Sequence, residues 1–472
     1  MRIGDIADGV TRQVENLGAT VSESLFEPTI RLGVTGLARA GKTVFITSLV
    51  ANLLNRSRMS QVAAIANGGV RTVYLQPQPD DTIARFDYED HLAALTTNQP
   101  SWPESTRSIS ELRLSFRVQP NGLLSGLSGP KTVHLDIVDY PGEWLLDLAL
   151  MDQSYSEWSA RSLQKAEQRE AAAAYLAKAN ETDSAAKLRE TDAKALAELF
   201  TTYLKTAQAQ GYSDCSPGRF LLPGALEGSP VLTFAPLSEI SKAPRGSLWR
   251  EMERRYEAYK SRVVKPFFRE HFARIDRQVV LVDVLGAIHR GPQAVENMRE
   301  SMGDILNAFR PGKNSFLSRL LVGQRVEKIL FAATKADHLH HSQHLQLTAI
   351  MDALVRDAKD KADFAGAQTS ALSIAALRAT VEETLQHNGA PLDCVRGTLL
   401  DTGKTAAFHA GSLPQDPARL LNPARERAEQ WLDGDFGNMR FSPATLRLKP
   451  GEGLPHIRLD RATEFLIGDR LK

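Results

Sequence analysis

Along this chain, short apolar runs alternate with stretches whose apolar residues recur every three to four positions. Thr29 to Thr35 reads as a short buried strand and Val44 to Leu54 as the helix that follows it. Residues 55–104 show no clear period. Ser110 to Val118 alternates and predicts a strand paired with the apolar run Lys131 to Asp139; Pro120-Asn121-Gly122 and Ser128-Gly129-Pro130 flank the link. From Met151 to about Gln210 the chain is rich in Ala, Glu, Lys and Arg and almost free of Gly and Pro. That predicts one or two long helices, broken near Asn180 to Asp183, with Tyr155, Trp158, Tyr175, Leu196, Phe200 and Tyr203 among the buried stripe. Gly211 to Gly246 is turn-rich, and Ser247 to Phe272 is again amphipathic.

Strands resume at Gln278–Leu285, Val326–Thr334 and Leu372–Leu377, separated by helical patterns at Gln293–Phe309 and Ser342–Ala365. Alternation of strand and helix argues a mostly parallel, doubly wound α/β sheet. The expected organisation is an amphipathic helix at 1–28, an α/β domain built from 29–150 and 276–380, a helical insertion at 151–275, and an α+β extension at 381–472. The extension has strands at Cys394–Leu400 and Thr405–Ala410 and a proline-punctuated helical end.

Composition narrows the partners. A net charge of +1 over 472 residues predicts neither nucleic acid nor an anionic membrane. Two cysteines far apart suit a reducing cytoplasm and exclude a disulfide framework. No apolar run reaches the ~18 residues of a membrane span. Residues 1–26 lack the pattern of a signal peptide. Their acids Asp5, Asp8, Glu15 and Glu23 oppose docking on anionic lipid, so the helix is expected to pack on the body of the protein.

Three strings carry chemistry. Gly36-Leu37-Ala38-Arg39-Ala40-Gly41-Lys42-Thr43, followed by Val44, is G-x-x-x-x-G-K-[ST] between a strand and a helix. Its glycines let backbone N–H groups face phosphate oxygens, Lys42 reaches the outer phosphates, and the Thr43 hydroxyl holds Mg²⁺. Asp139-Tyr140-Pro141-Gly142 is D-x-x-G at a strand end; Asp139 can accept from a Mg²⁺-bound water and the Gly142 N–H can meet a γ-phosphate. Thr334-Lys335-Ala336-Asp337 is T-K-x-D. The Asp337 carboxylate can accept from guanine N1 and N2, a donor pair that adenine lacks, with the Lys335 stem along the base.

These strings in this order resemble the Ras-like GTPase superfamily. With Glu143-Trp144 after the D-x-x-G and the string Leu454-Pro455-His456-Ile457-Arg458-Leu459-Asp460-Arg461-Ala462, the chain is similar over nearly its whole length to the YcjX family of bacterial stress-associated proteins. The resemblance implies a Ras-like P-loop fold, GTP and GDP with Mg²⁺ as ligands, GTP hydrolysis as activity, and a cytoplasmic location. It also implies a protein effector, with a YcjF-type membrane protein as one candidate that would bring the chain to the inner membrane as a peripheral partner. By the superfamily pattern a switch threonine precedes the alternating strand. Thr106 fits best, and Thr82, Thr96 and Thr97 are rivals. The last base-contacting loop follows the final parallel strand, which selects Arg378-Ala379-Thr380 over Thr369 to Leu372. Glu143 stands where many relatives carry a water-orienting Gln. Arg39 resembles the P-loop arginine that serves dynamin-like GTPases, among them the guanylate-binding proteins, as a finger in cis. A nucleotide-holding scaffold with little turnover and an ATP-using P-loop protein are the competing readings. His338, His340, His341 and His344 cluster after Asp337, but no cysteine or ligand from another element is evident, which favours packing or a solvated helix over a metal site.

Overall fold

A computed structural model of the chain describes residues 27–36, 40–104, 108–119, 129–308, 326–364, 366–426 and 436–472. The helix expected at 1–28 lies almost wholly outside them. The central sheet runs β2 (Val70–Gln76), β4 (Ser110–Val118), β5 (Lys131–Asp139), β1 (Thr29–Gly36), β6 (Arg277–Val282), β7 (Lys328–Ala333) and β8 (Gln368–Ser373), with short β3 (Ala84–Arg85) beside β4. From β5 to β8 all neighbours are parallel, whereas β4 is antiparallel to both β5 and β2. The chain thus has the expected α/β architecture with a mostly parallel sheet.

The apolar runs are continuous because both sheet faces are covered. Val279 and Leu281 of β6, with Leu330 and Ala332 of β7, join one core, while Val280, Val282, Ile329 and Phe331 join the other. Helix α1 (Lys42–Asn55) and the C-terminal helix Leu459–Ile467 cover the first face. Helices between β5 and β6, with Pro292–Ala308 and His344–Leu354, cover the second. Arg277, almost fully buried at the start of β6, donates to the Leu466 carbonyl at 3.0 Å and to Asp469 at 2.9 Å, which ties the C-terminal helix to the sheet.

Between β5 and β6 the chain is helical; from Met151 to Gln210 it has three main helices where one or two were expected, Tyr155–Glu167, Ala173–Glu181 and α2 (Glu190–Ala209), and Leu248–Tyr259 opens the further amphipathic stretch. The foreseen break near Asn180 to Asp183 is present. Ser154 and Glu157 form a capping box at the first start. Tyr155, Trp158, Phe200, Phe234 and Tyr256 build an aromatic core with ring centroids 5.0–6.0 Å apart.

Three local expectations shift. Residues 55–104 hold β2 and a helix, Tyr88–Thr96; β2 is an edge strand with most side chains half-exposed, so its apolar pattern is faint. The strand expected to reach Leu285 stops at Val282, because the Asp283 side chain accepts the Gly286 N–H at 3.0 Å and starts the helix Val284–Arg290. The strand placed at Leu372–Leu377 is β8, Gln368–Ser373. It is an edge strand as well, so small polar residues suffice there and the apolar residues after it form a loop. The C-terminal sheet is antiparallel, β9 (Val381–His387), β10 (Ala390–Thr398) and β11 (Thr405–Phe408).

Candidate functional site

The carboxyl ends of the parallel strands open onto one cleft of about 390 Å³, where ligands of doubly wound sheets settle. The start of α1 and the residues just before it line one part of it. Gly41, the N-cap of α1, has φ 82°, a left-handed conformation that glycine adopts without strain. The first turn of α1 contains no acid of its own, so the helix does not neutralise its positive end from within. Ala40, Gly41, Lys42, Thr43 and Val44 all line the cleft. Gly36 ends β1 against β6, and a β-carbon on it would stand 2.8 Å from the Leu281 carbonyl oxygen. Leu37, Ala38 and Arg39 lie outside the described residues.

Asp139, buried at the end of β5, lies in register with Val34. The chain after it is laid directly on the end of β1. A β-carbon on Gly142 would meet the Gly36 carbonyl oxygen at 2.2 Å, so no larger residue fits. The Thr43 hydroxyl lies 3.3 Å from the Glu104 carbonyl oxygen, so the segment ahead of β4 reaches Thr43 two residues before Thr106. Thr106 itself is outside the described residues. Of its rivals, Thr82 is held by the Asp80 carboxylate at 2.9 and 2.5 Å, and Thr96 donates to the Leu92 carbonyl at 2.8 Å.

At the other end of the cleft, Lys335 has φ 61° and lines the wall beside Thr334, Asp337 and His338. Asp337 is buried. Its carboxylate accepts the Ala379 N–H at 2.8 Å, and its carbonyl accepts the Thr380 hydroxyl. Ala379 and Thr380 therefore stand behind Asp337, and the residues that line the cleft are Ala375, Ala376 and Leu377. Lys335 Nζ meets Asp283 Oδ2 at 2.5 Å. Burial opposes charge on Asp283, yet the Lys335 ammonium keeps its carboxyl below the usual carboxylate range.

The remaining wall comes from far along the chain. Leu400, Asn438, Met439, Arg440 and Phe441 line the cleft together with Trp102 and Pro103. Trp102 Nε1 donates to the Phe441 carbonyl at 2.7 Å. The His338 ring stands edge-on to Phe441 at 5.1 Å, and burial pushes its pKa down. Nothing local in the sequence marks Trp102 or Phe441 as wall residues.

The segment after Gly142 is gripped by the helices that follow. Glu143 opens a short helix, Glu143–Leu146, and its buried carboxylate accepts from Gln208 of α2 at 3.1 Å. Trp144 Nε1 donates to the Leu222 carbonyl at 3.1 Å, and the Arg219 guanidinium lies 3.1 Å from the Trp144 ring centroid. Asp147 accepts the Gly218 N–H at 2.7 Å and the Tyr259 hydroxyl at 2.5 Å. Full burial pushes the Asp147 carboxyl up to about 6, against those two donors, which draw it down. The raised pKa means that the folded state binds this proton more tightly than the unfolded chain. The contribution is complete below the ordinary value near 3.8 and is lost as pH rises through about 6. Asp147→Asn should therefore gain on the natural chain by up to about 3 kcal/mol between pH 4 and pH 7. Urea unfolding of both proteins across that range checks it; a constant difference would contradict it.

A model of the YcjX-like family, DUF463, matches residues 30–471. The chain belongs to the YcjX-like family. It is 36% identical over 481 aligned residues to a protein of Shewanella oneidensis named "Ras-like GTPase YcjX", covering 96% of this chain and 97% of that one. It is 37% identical over 458 residues to the Escherichia coli protein of the same name, covering 94% and 96%.

Within this YcjX-like chain the string Leu454 to Ala462 acquires a structural role. Ala375 and Ile457 exchange backbone hydrogen bonds at 3.1 and 2.8 Å, and the Arg378 N–H donates to the Pro455 carbonyl at 2.8 Å. Arg458 donates to the Ser373 carbonyl at 3.1 Å, and His456 meets the Arg58 carbonyl at 2.9 Å. The string fixes the Ala375–Leu377 wall from outside. The histidine-rich segment divides. His344 is buried and its ring N–H reaches the Ala336 and Leu339 carbonyls, a packing role, whereas His340 and His341 sit together near the surface.

Proposed function

We propose that this protein binds guanine nucleotides with Mg²⁺ and hydrolyses GTP to GDP as a slow molecular switch. One observation carries the reading: a positive-φ P-loop glycine with Lys42 and Thr43, and the buried Asp337, line the same cleft. Lys42 and the helix end hold the phosphates, and Gly142 places its N–H beside the end of β1, where a γ-phosphate arrives. Thr43 and Asp139 have the hard oxygen donors that Mg²⁺ takes and both are buried at the phosphate end, with Thr106 as a further donor. The bound ion would neutralise charge on the β- and γ-oxygens. Asp337 selects guanine, while Leu377, Met439 and Phe441 offer apolar contact to the base. The relatives' name, Ras-like GTPase, supports the same reading.

The grip on Glu143 favours slow turnover. A carboxylate engaged with Gln208 is not placed as a water-orienting amide, and this supports the nucleotide-holding scaffold as the second reading. The work of orienting charge then falls on Arg39. Fingers of this kind raise rates by roughly 10³–10⁵ in known systems, and a smaller gain is expected here. Arg39→Ala should lower kcat in single-turnover hydrolysis and leave GDP affinity nearly unchanged, because GDP lacks the transferring group. Hydrolysis unaltered at every protein concentration would make Arg39 an ordinary surface residue. A stress-related role, a cytoplasmic location and a YcjF-type partner at the inner membrane rest on the family resemblance. Among the described residues no helix is long and apolar enough to cross a membrane. The deciding experiment identifies and counts the nucleotide that co-purifies with the protein and then follows its hydrolysis with Mg²⁺. Bound GDP or GTP with measurable turnover supports the switch; nucleotide held without turnover supports the scaffold; adenine nucleotide would overturn both.

A further inference from the structure

The ligand from another element that the sequence could not supply to the histidines comes from the C-terminal sheet. His340 and His341 follow the T-K-x-D loop. Glu382 sits on β9 and Asp393 on β10, on adjacent antiparallel strands. One ligand atom each from His340, His341 and Glu382 lies within 4.8 Å of the others. His341 Nδ1 is 2.7 Å from Glu382 Oε2, and His340 Nε2 is 3.9 Å from the same oxygen. In a tetrahedral zinc site, bonds of about 2.0–2.1 Å put neighbouring ligand atoms about 3.3 Å apart, between these two spacings.

The other edge of His340 is already oriented. Its Nδ1 faces Asp393 Oδ2 at 3.2 Å and the Ser342 hydroxyl at 2.9 Å, and that hydroxyl is 3.2 Å from Asp393. The Ser342 N–H also points at Nδ1, from 3.4 Å; with a metal on Nε2 the Nδ1 proton goes to the nearer Asp393 carboxylate, and the Nε2 lone pair is the one on the Glu382 side. This is the carboxylate–histidine–metal relay of many zinc sites. The other Glu382 oxygen, Oε1, lies 3.6 Å from Arg378, so Oε2 is the one directed at the imidazoles.

We propose that His340, His341 and Glu382, with Asp393 orienting His340, bind a zinc-class divalent cation that is separate from the Mg²⁺ at the phosphates. A neutral imidazole pair with one carboxylate suits zinc and disfavours Mg²⁺ or Ca²⁺, which take oxygen donors. His341 is largely exposed, so solvent water completes the coordination. The ion would staple the segment after Asp337 to β9, only two residues beyond the Thr380 that braces Asp337.

The test needs no nucleotide. Zinc chloride is titrated calorimetrically into the chelator-treated full chain at pH 7, with thermal unfolding followed in parallel. One equivalent is expected to bind and to raise the unfolding temperature, since the ion links separate elements of the folded state. His341→Ala combined with Glu382→Gln should abolish both effects. Asp393→Asn should keep the stoichiometry and weaken affinity about tenfold or more. Zinc bound equally well by the double variant, or no zinc bound by the natural chain, would overturn the proposal.

Discussion

Lys42→Ala is expected to remove nucleotide binding, or to leave binding so weak that turnover is lost. An ammonium that reaches two phosphates makes charge-assisted hydrogen bonds worth about 1.5–3 kcal/mol each. Their loss amounts to about two to four decades in affinity. The side chain is only half-buried and lines the cleft, so the fold itself should survive. Calorimetric titration of GDP and GTP, with thermal unfolding in the absence of nucleotide as control, checks this. Affinity and hydrolysis both intact in the variant would mean that the β1–α1 turn is not a phosphate site. Thr43→Ala, by contrast, should chiefly make binding less dependent on Mg²⁺.

The second large effect concerns the base. Asp337→Asn should weaken GTP and GDP together by about two decades and shift preference toward xanthine nucleotides. One carboxylate oxygen becomes an amide donor, which meets the xanthine 2-oxo group and opposes the guanine amine. The geometry makes this substitution clean. The variant can keep its remaining oxygen on the Ala379 N–H, so the bracing of the loop persists while the face toward the base changes. Competition of GTP, XTP and ATP for the natural and altered proteins measures it. Equal affinity of the natural chain for ATP and GTP would remove Asp337 from any role in selection.

The β1–α1 part of the cleft, the proposed phosphate end, was legible in sequence because its determinants are local. A glycine at positive φ, a lysine and a threonine act within a few residues of one another, between a strand and a helix whose periods are strong. The sheet centre was legible for a similar reason: the inner stretches of β1, β5, β6 and β7 are buried on both faces and are mostly apolar, the charged residues among them, such as Asp136 and Arg277, being paired. The edges were not. β2 and β8 have a half-exposed side, so their patterns weaken, and the cleft loop after β8 was displaced with it. Position after the strand governed the choice of Ala379 and Thr380. They lie against Asp337, and the residues after β8 that line the cleft, Ala375, Ala376 and Leu377, come a few positions earlier, a shift that follows from the end of β8 at Ser373. Interactions at long separation left no mark at all. Gln208 on Glu143, Asp469 on Arg277 and Glu382 beside His341 depend on how distant segments are brought together, and no spacing rule encodes that.

The wall made by Trp102 and Asn438–Phe441 has a consequence for how the cleft comes into being. Trp102 and Phe441 are 339 positions apart and joined by a direct hydrogen bond. On the ribosome the phosphate end is synthesised early, yet the base end stays open until residue 441 has emerged and the string beyond it has seated the Ala375–Leu377 loop. On the proposed function, a nascent chain would have a phosphate grip without a closed compartment, and GTP that met it would leave again quickly. Tight retention of nucleotide would then be a mark of chains that have finished folding.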